Sequence, residues 1–150
     1  MSVFVDLRTH IAVRKMEWGM TGLIGNLGWL LTDQRETFAQ PSYVEFRWMN
    51  EQALGWLMLA FCAIRLLTLF VNGRMGHVRS ANTRAALSLI SFGLMALWAV
   101  LFAKADTMST GVVAYQWFAL FELANIVQAR SDIVKYQVKR ADAVRFTSST

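Results

Sequence analysis

Two long apolar stretches, residues 53–71 and 85–103, limit what this chain can fold into. Each is close to the roughly 20 residues that an α-helix needs to cross the hydrocarbon core of a bilayer. Hydrophobic residues make up 55% of the 150 and charged residues only 17%, and the charges are gathered into short clusters between apolar stretches. A soluble helical core would distribute its charges along exposed helix faces, so this pattern predicts an integral membrane protein.

Two weaker apolar stretches complete the predicted fold. Residues 16–32 are short and carry Glu17 at their start, whereas residues 111–129 are interrupted by Glu122 and Asn125. Together the four stretches predict an all-α, integral membrane four-helix bundle that occupies the whole chain as a single membrane domain.

Lysine and arginine are unevenly distributed around these spans, which predicts their direction across the membrane. With the amino terminus inside, only Arg35, Arg47 and Lys104 fall on the outer side. The bases on the inner side are Arg8, Arg14, Lys15, Arg74, Arg79, Arg84, Arg130, Lys135, Lys139, Arg140 and Arg145. Cytoplasmic loops are enriched in such bases, so the expected orientation is N-in/C-in, with residues 130–150 as a basic cytoplasmic tail.

The net charge of +5 does not indicate nucleic-acid binding, because the bases stand at the ends of apolar stretches, where membrane topology accounts for them. The lipid bilayer is the expected partner. Cys62 is the single cysteine, and His10 and His77 are the only histidines. Metal sites need several such ligands at suitable spacing, so the sequence predicts no metal and no cofactor.

Arg65 and Glu122 are charges inside predicted spans, where a charge is costly and normally faces a partner or a water-filled cavity. Counted from the inner ends of their spans, both lie roughly 12 Å above the cytoplasmic boundary. Equal depth predicts a buried ion pair, which serves either as a proton or ion relay or as a structural pin between the second and fourth helices. Asn125, three residues after Glu122 on the same helical face, is placed to join their hydrogen bonds.

Other polar and small residues suggest contacts between helices. Gly19, Gly22, Gly25 and Gly28 predict close approach of another helix to the first span, although a three-residue step drifts around an α-helix. Asn26 adds a candidate for an interhelical hydrogen bond. The inner loop carries Arg74, Arg79 and Arg84, which either hold anionic lipid headgroups or the acidic surface of a partner, or only fix the topology.

The connections and the tail leave alternatives open. Residues 33–50 contain the only proline, Pro41, and four aromatic residues, so this outer connection either lies on the membrane surface or folds back onto the bundle. Trp98 and Trp117 lie deeper in their spans and are predicted to be packing residues. The tail keeps apolar residues among its bases, and it extends the fourth helix either along the membrane surface or into solvent.

Several short motifs resemble those of a group of small multi-span membrane proteins of tailed bacteriophages and prophages. The motifs are Pro41-Ser42-Tyr43, Leu54-Gly55-Trp56, Arg65, Asn72-Gly73, Arg84, Ser109-Thr110-Gly111 with Tyr115, Glu122, Asn125, Ala129-Arg130 and Asp132, and they cover roughly two thirds of the chain. The group has an arginine in one span before an Asn-Gly turn and has no settled activity. Its usual members have an aromatic-rich third span, whereas this chain has a milder stretch around Phe92 and Trp98. The resemblance implies a virus-encoded, multi-pass protein of a bacterial inner membrane.

Function is predicted mainly by exclusion. The sequence contains no nucleophile elbow, phosphate-binding loop or His-Glu-x-x-His motif, so we predict no catalytic residues and no enzyme activity. The leading hypothesis is a non-enzymatic helical bundle that acts by assembly, as a homo-oligomer or with a membrane-protein partner. The alternative is a holin-like protein that permeabilises the inner membrane for lysis. A third hypothesis is an ion-coupled carrier that works through Arg65 and Glu122.

Overall fold

The computed structural model describes residues 14–33, 37–71, 77–105 and 110–148. Over these residues the chain forms four α-helices and no strand, which confirms the all-α prediction. The helices are α1 (Lys15–Asp33), α2 (Glu51–Val71), α3 (His77–Lys104) and α4 (Thr110–Ser148), and two short 3₁₀ helices, Thr37–Ala39 and Pro41–Phe46, precede α2.

Three of the helices are long and apolar enough to cross a membrane. These segments are Glu51–Val71, Arg79–Lys104 and Thr110–Val138, and each contains one of the apolar stretches identified in the sequence. Helix α1 is not among them, because its 19 residues include four glycines and several polar side chains.

The helices associate mainly as two pairs. Helix α1 packs along α2, and α3 packs along α4, whereas contacts between the pairs are fewer. Helices α1 and α2 approach closely at two glycines: a Cβ added to Gly28 would lie 3.0 Å from the carbonyl oxygen of Gly55. Such small residues let two helix backbones come together inside a membrane, where close packing replaces the hydrophobic effect as the source of association.

Aromatic side chains fill the region where α3 and α4 meet the connection before α2. The ring of Phe46, which is fully buried, lies 5.1 Å from that of Trp98 and 5.2 Å from that of Phe102, between centroids. Tyr115 of α4 stacks on Phe102 at 5.3 Å. The connection before α2 therefore folds back onto the helices, which is one of the two alternatives that the sequence left open.

Hydrogen bonds to Glu51 hold this connection in place. The backbone N–H groups of Thr37 and Phe38 donate to its two carboxylate oxygens at 2.9 and 3.3 Å. Burial, together with the nearby charge of Glu51, raises the pKa of Tyr43 in the same connection. The connection thus covers the C-terminal end of α3 and the N-terminal end of α4.

The packing prediction for the two deep tryptophans is half right. Trp98 is only 2% exposed, but Trp117 is 55% exposed. Trp117 follows the buried Tyr115 by two positions, which at about 100° per residue turns it to the opposite side of α4. Trp117 therefore belongs to the outward face of α4.

Helix α4 continues without interruption from its apolar segment into the tail. Its 39 residues correspond to about 58 Å of helix, roughly twice the hydrocarbon thickness of a bilayer. The tail is thus a continuation of the fourth helix, as the sequence predicts.

Candidate functional site

The ion pair expected from equal depth, between Arg65 of α2 and Glu122 of α4, is present. Nη1 of Arg65 donates to Oε1 of Glu122 at 2.5 Å, and Nη2 donates to Oε2 at 3.3 Å. Arg65 is 4% exposed and Glu122 is completely buried. Two parallel bonds of this kind add geometric specificity as well as energy to the pairing of a guanidinium with a carboxylate.

Polar neighbours complete the surroundings of this pair. Thr21 of α1 accepts a hydrogen bond from Nε of Arg65 at 3.1 Å. Ser91 of α3 donates to Oε1 of Glu122 at 2.7 Å, and Nδ2 of Asn125 donates to Oε2 at 3.0 Å. Each of the four helices thus supplies at least one member of the network, and Asn125 has the predicted position beside Glu122.

One polar atom of Asn125 takes no part in this hydrogen-bond network. Its Oδ1 is buried and has no hydrogen-bond partner among the described residues. The amide cannot be turned over to correct this, because Nδ2 is the only one of its two polar atoms that can donate to the Glu122 carboxylate.

A second buried ion pair joins Arg84 of α3 to Glu17 of α1. Nε of Arg84 donates to Oε2 of Glu17 at 2.9 Å, Nη2 contacts Oε1, and Nη1 donates to Asp132 of α4 at 3.0 Å. Arg84 is 4% and Glu17 3% exposed. Arg14 lies 3.9 Å from Asp132, and burial together with the charge of Arg84 lowers its pKa.

This second pair corrects the prediction for the inner-loop arginines. Arg84 does not face lipid headgroups or a partner. It lies on the side of α3 that faces α1 and α4, where the carboxylates of Glu17 and Asp132 bind it. Arg79 is exposed on the first turns of α3 and remains open to the predicted role. Arg74 lies outside the described residues.

Each of the two ion pairs joins one helix pair to the other. Helices α1 and α2 contribute Glu17 and Arg65, and helices α3 and α4 contribute Arg84 and Glu122. Each helix pair therefore presents one acid and one base to the other, and the buried charges cancel. Close backbone contacts between the two helix pairs are fewer than those within each pair, and the two ion pairs bridge them at buried positions.

A small cavity lies between the two ion pairs. Its lining includes Glu17, Arg65, Thr68, Arg84 and Ser88, and its volume is about 10 Å³. A single water molecule needs about that much space and two or more polar neighbours, both of which this site offers. The arrangement can therefore hold one water between two neutralised ion pairs, but not a metabolite.

The glycine prediction is correct for half of the series. A Cβ added to Gly25 would lie 2.8 Å from Sγ of Cys62, and Gly28 faces Gly55, so both lie at the contact with α2. A Cβ at Gly19 or Gly22 would meet no atom within 4 Å, so the prediction of close packing is wrong for these two within one chain. The three-residue step turns them away from α2.

No metal centre is formed by the described residues: they contain no group of three or more His, Cys, Asp or Glu side chains that could hold an ion. Comparison of the chain with protein-family models, with curated proteins and with solved structures finds no match.

Proposed function

We propose that this chain is a non-enzymatic, four-span protein of a bacterial inner membrane, encoded by a phage or prophage, that acts by helix–helix assembly with itself or with a membrane partner. The observation that carries the proposal is the pairing of the buried charges within the chain. Arg65 and Arg84 are each bound by a carboxylate of the same chain, and the space between them fits about one water. Because the buried charges are paired within the chain, the outward helix faces are the surfaces left to act.

In this proposal α1 also spans the membrane, together with the three longer helices α2, α3 and α4. Its 19 residues correspond to about 28 Å of helix, close to the ~30 Å hydrocarbon core. Glu17 is the main obstacle to inserting the inner end of this helix, and Arg84 neutralises it. The bias of Lys and Arg supports the N-in/C-in orientation, and the motif resemblance supports the phage or prophage origin.

Topology is the first test. A fluorescent reporter active only in the cytoplasm, fused to either end of the chain, is expected to be active in both fusions. A phosphatase active only in the periplasm, inserted after Gln40 in the outer connection, is expected to be active there. Phosphatase activity when this reporter is fused to the amino terminus would contradict the four-span orientation.

Assembly is the second test. Photo-activated crosslinking side chains placed at outward positions such as Leu67 of α2 and Val127 of α4, which are 63% and 62% exposed, are to be activated in living membranes. Crosslinks to a second copy or to one recurring membrane protein support assembly. Adducts with lipid alone, at these positions and on α1, would count against it.

A holin-like function is the second candidate, and the outward face of α1 is what favours it. Gly19, Gly22 and Asn26 are exposed there, and several such faces arranged in a ring would line a lesion with polar and small groups. Induction with and without a cytoplasmic wall-degrading enzyme tests this candidate. Abrupt loss of membrane potential, with lysis only when the enzyme is present, is the expected result, and continued growth at high expression excludes it.

The geometry supports the ion-coupled carrier least of the three hypotheses. The carboxylate of Glu122 accepts bonds from Arg65, Ser91 and Asn125, so an ion would have to displace all of them. A carrier predicts ion-dependent uptake into sealed vesicles that contain the purified protein. Uptake equal to that of empty vesicles would remove this candidate.

A further inference from the structure

The outward face of α1 differs from those of the other three helices. Large apolar side chains cover the outward faces of α2, α3 and α4, as a membrane requires of lipid-facing surfaces. They include Leu57, Ile64 and Leu67 on α2, Leu89, Ile90 and Val100 on α3, and Val113, Leu120 and Val127 on α4, all at least half exposed. Between Met16 and Trp29 the outward face of α1 has Gly19, Gly22 and Asn26 instead.

Asn26 lies near the middle of this face. It follows the first residue of α1 by eleven positions and precedes the last by seven, which places it about 16 Å from one end of the helix and about 10 Å from the other. Its amide has no hydrogen-bond partner within the described part of the chain. Hydrocarbon cannot supply one, and an unsatisfied amide there is costly.

The spacing of the exposed residues of α1 indicates what can satisfy this amide. Gly19, Gly22, Asn26 and Trp29 are separated by steps of three, four and three residues. This is the seam of a left-handed helix pair. The two glycines allow another backbone to approach, since nothing lies within 4 Å of the position that a Cβ would occupy.

We propose that this face of α1 binds the same face of a second copy, forming a parallel dimer in which the two Asn26 amides hydrogen-bond across a two-fold axis normal to the membrane. An amide both donates and accepts, so an identical amide is its complement. A two-fold axis normal to the membrane places each Asn26 at the depth of the other. A single polar residue in such a seam also fixes register and favours the dimer.

This dimer rests on the proposed function, because α1 must span the membrane for Asn26 to lie in hydrocarbon. It adds the identity of the partner and the face that binds it. It also assigns a use to Gly19 and Gly22, which make no close contact within one chain.

Energy transfer between labelled copies of the full chain in liposomes tests the dimer. The test variants are Asn26→Leu and Gly22→Ile, and the chain offers a matched control for each. Gln116→Leu removes an exposed carboxamide of α4, and Gly93→Ile enlarges an exposed glycine of α3 that also has nothing within 4 Å. The dissociation constant is expected to rise about tenfold in each test variant and to stay within about twofold in each control.

Cysteine crosslinking provides a readout that does not depend on removing Asn26. In a Cys62→Ala background, Gly22→Cys is expected to form a disulfide-linked species of twice 17.0 kDa under mild oxidation, whereas Gly93→Cys is not. Absence of energy transfer in the unaltered chain overturns the dimer. So does energy transfer that persists in both Asn26→Leu and Gly22→Ile.

The reporter fusions separate these failures from failure of the proposed function. A monomeric protein with both ends in the cytoplasm would overturn only the dimer and would leave the α1 face to a different membrane protein. A periplasmic amino terminus would overturn the four-span proposal itself.

Discussion

Arg65 directs Nη1 and Nη2 at Glu122 and Nε at Thr21, so neither member of the ion pair can be removed without leaving a charge among buried side chains. Arg65→Leu or Glu122→Leu alone is expected to lower the free energy of unfolding by about 3–5 kcal/mol. The double variant is expected to recover most of this loss, although Ser91 and Asn125 then lack their acceptor. Unfolding in mixed detergent micelles measures all three variants.

The control for this cycle is Leu67→Ala, two positions further along α2 and 63% exposed. It should change the free energy of unfolding little, because its side chain faces outward. A double variant no more stable than the worse single variant would contradict a direct coupling between Arg65 and Glu122.

Two arginines near the start of α3 make a second prediction at this scale. Arg84→Leu is expected to destabilise the fold by about 3–5 kcal/mol, because Glu17 loses the guanidinium that binds it. Arg79→Leu, five residues earlier and exposed, should change stability by about 0.5 kcal/mol or less. Comparable losses in the two variants, measured by the same unfolding assay, would show that Arg84 acts at the surface after all.

The sequence predicted one of the two ion pairs because of where the charges stand. Arg65 and Glu122 interrupt apolar stretches, so their depths could be counted and compared. Glu17 and Arg84 stand at the inner edges of their stretches, where charges are expected for topology alone. Their equal depth was a signal for a pair, but depth does not say which way a side chain points around its helix.

At the scale of the helices, the contact between α1 and α2 depends on glycines. A Cβ at Gly28 would lie 3.0 Å from two backbone atoms, the carbonyl oxygen of Gly55 and the amide nitrogen of Leu59. Because backbone cannot move aside as a side chain can, Gly28→Ala is expected to destabilise the helix pair by about 1–3 kcal/mol. Gly93→Ala on the open face of α3 should be neutral or stabilise by up to about 1 kcal/mol, since alanine favours helix. Equal effects of the two substitutions on unfolding would contradict the close approach.

The outer connection carries a further prediction at this scale. Phe46 is fully buried against Trp98 and Phe102, so Phe46→Ala is expected to cost about 3–5 kcal/mol and to loosen the connection. Trp48→Ala, at a side chain 73% exposed, is the control. Limited proteolysis from the outer side should cleave the Phe46→Ala variant faster and leave the Trp48→Ala variant unchanged. Equal cleavage would mean that the connection does not depend on the aromatic packing.

Helix positions followed from apolar length, which is a local property, and all four predicted stretches lie within helices. What length could not supply is the direction of each face. Gly19 and Gly25 are both glycines of the same three-residue series, yet only Gly25 lies at the contact with α2. Trp98 and Trp117 were equally deep in their spans, yet only Trp98 is buried. Rotation about a helix axis is decided by packing between distant segments, which the depth of a residue within its own span does not reveal.

At the scale of the whole molecule, two helix pairs meet through buried apolar side chains and through two ion pairs whose charges cancel. A protein built in this way should survive division of the chain between α2 and α3, because each fragment keeps its own helix pair and presents one acid and one base. The fragments 1–74 and 75–150, co-expressed and carrying different affinity tags, are expected to copurify from membranes. Recovery of the second fragment with the first measures their association.

Substitutions in the fragments then decide whether the ion pairs hold the two halves together. Glu122→Leu in the second fragment leaves Arg65 of the first without its carboxylate and is expected to reduce copurification about tenfold or more. Leu120→Ala, at an outward position of the same helix, is the matched control and should have little effect. Combining Glu122→Leu with Arg65→Leu in the first fragment should restore much of the recovery, because no charge is then left unpaired. Equal recovery of every combination would mean that apolar contacts join the two helix pairs and that the ion pairs only follow from their association.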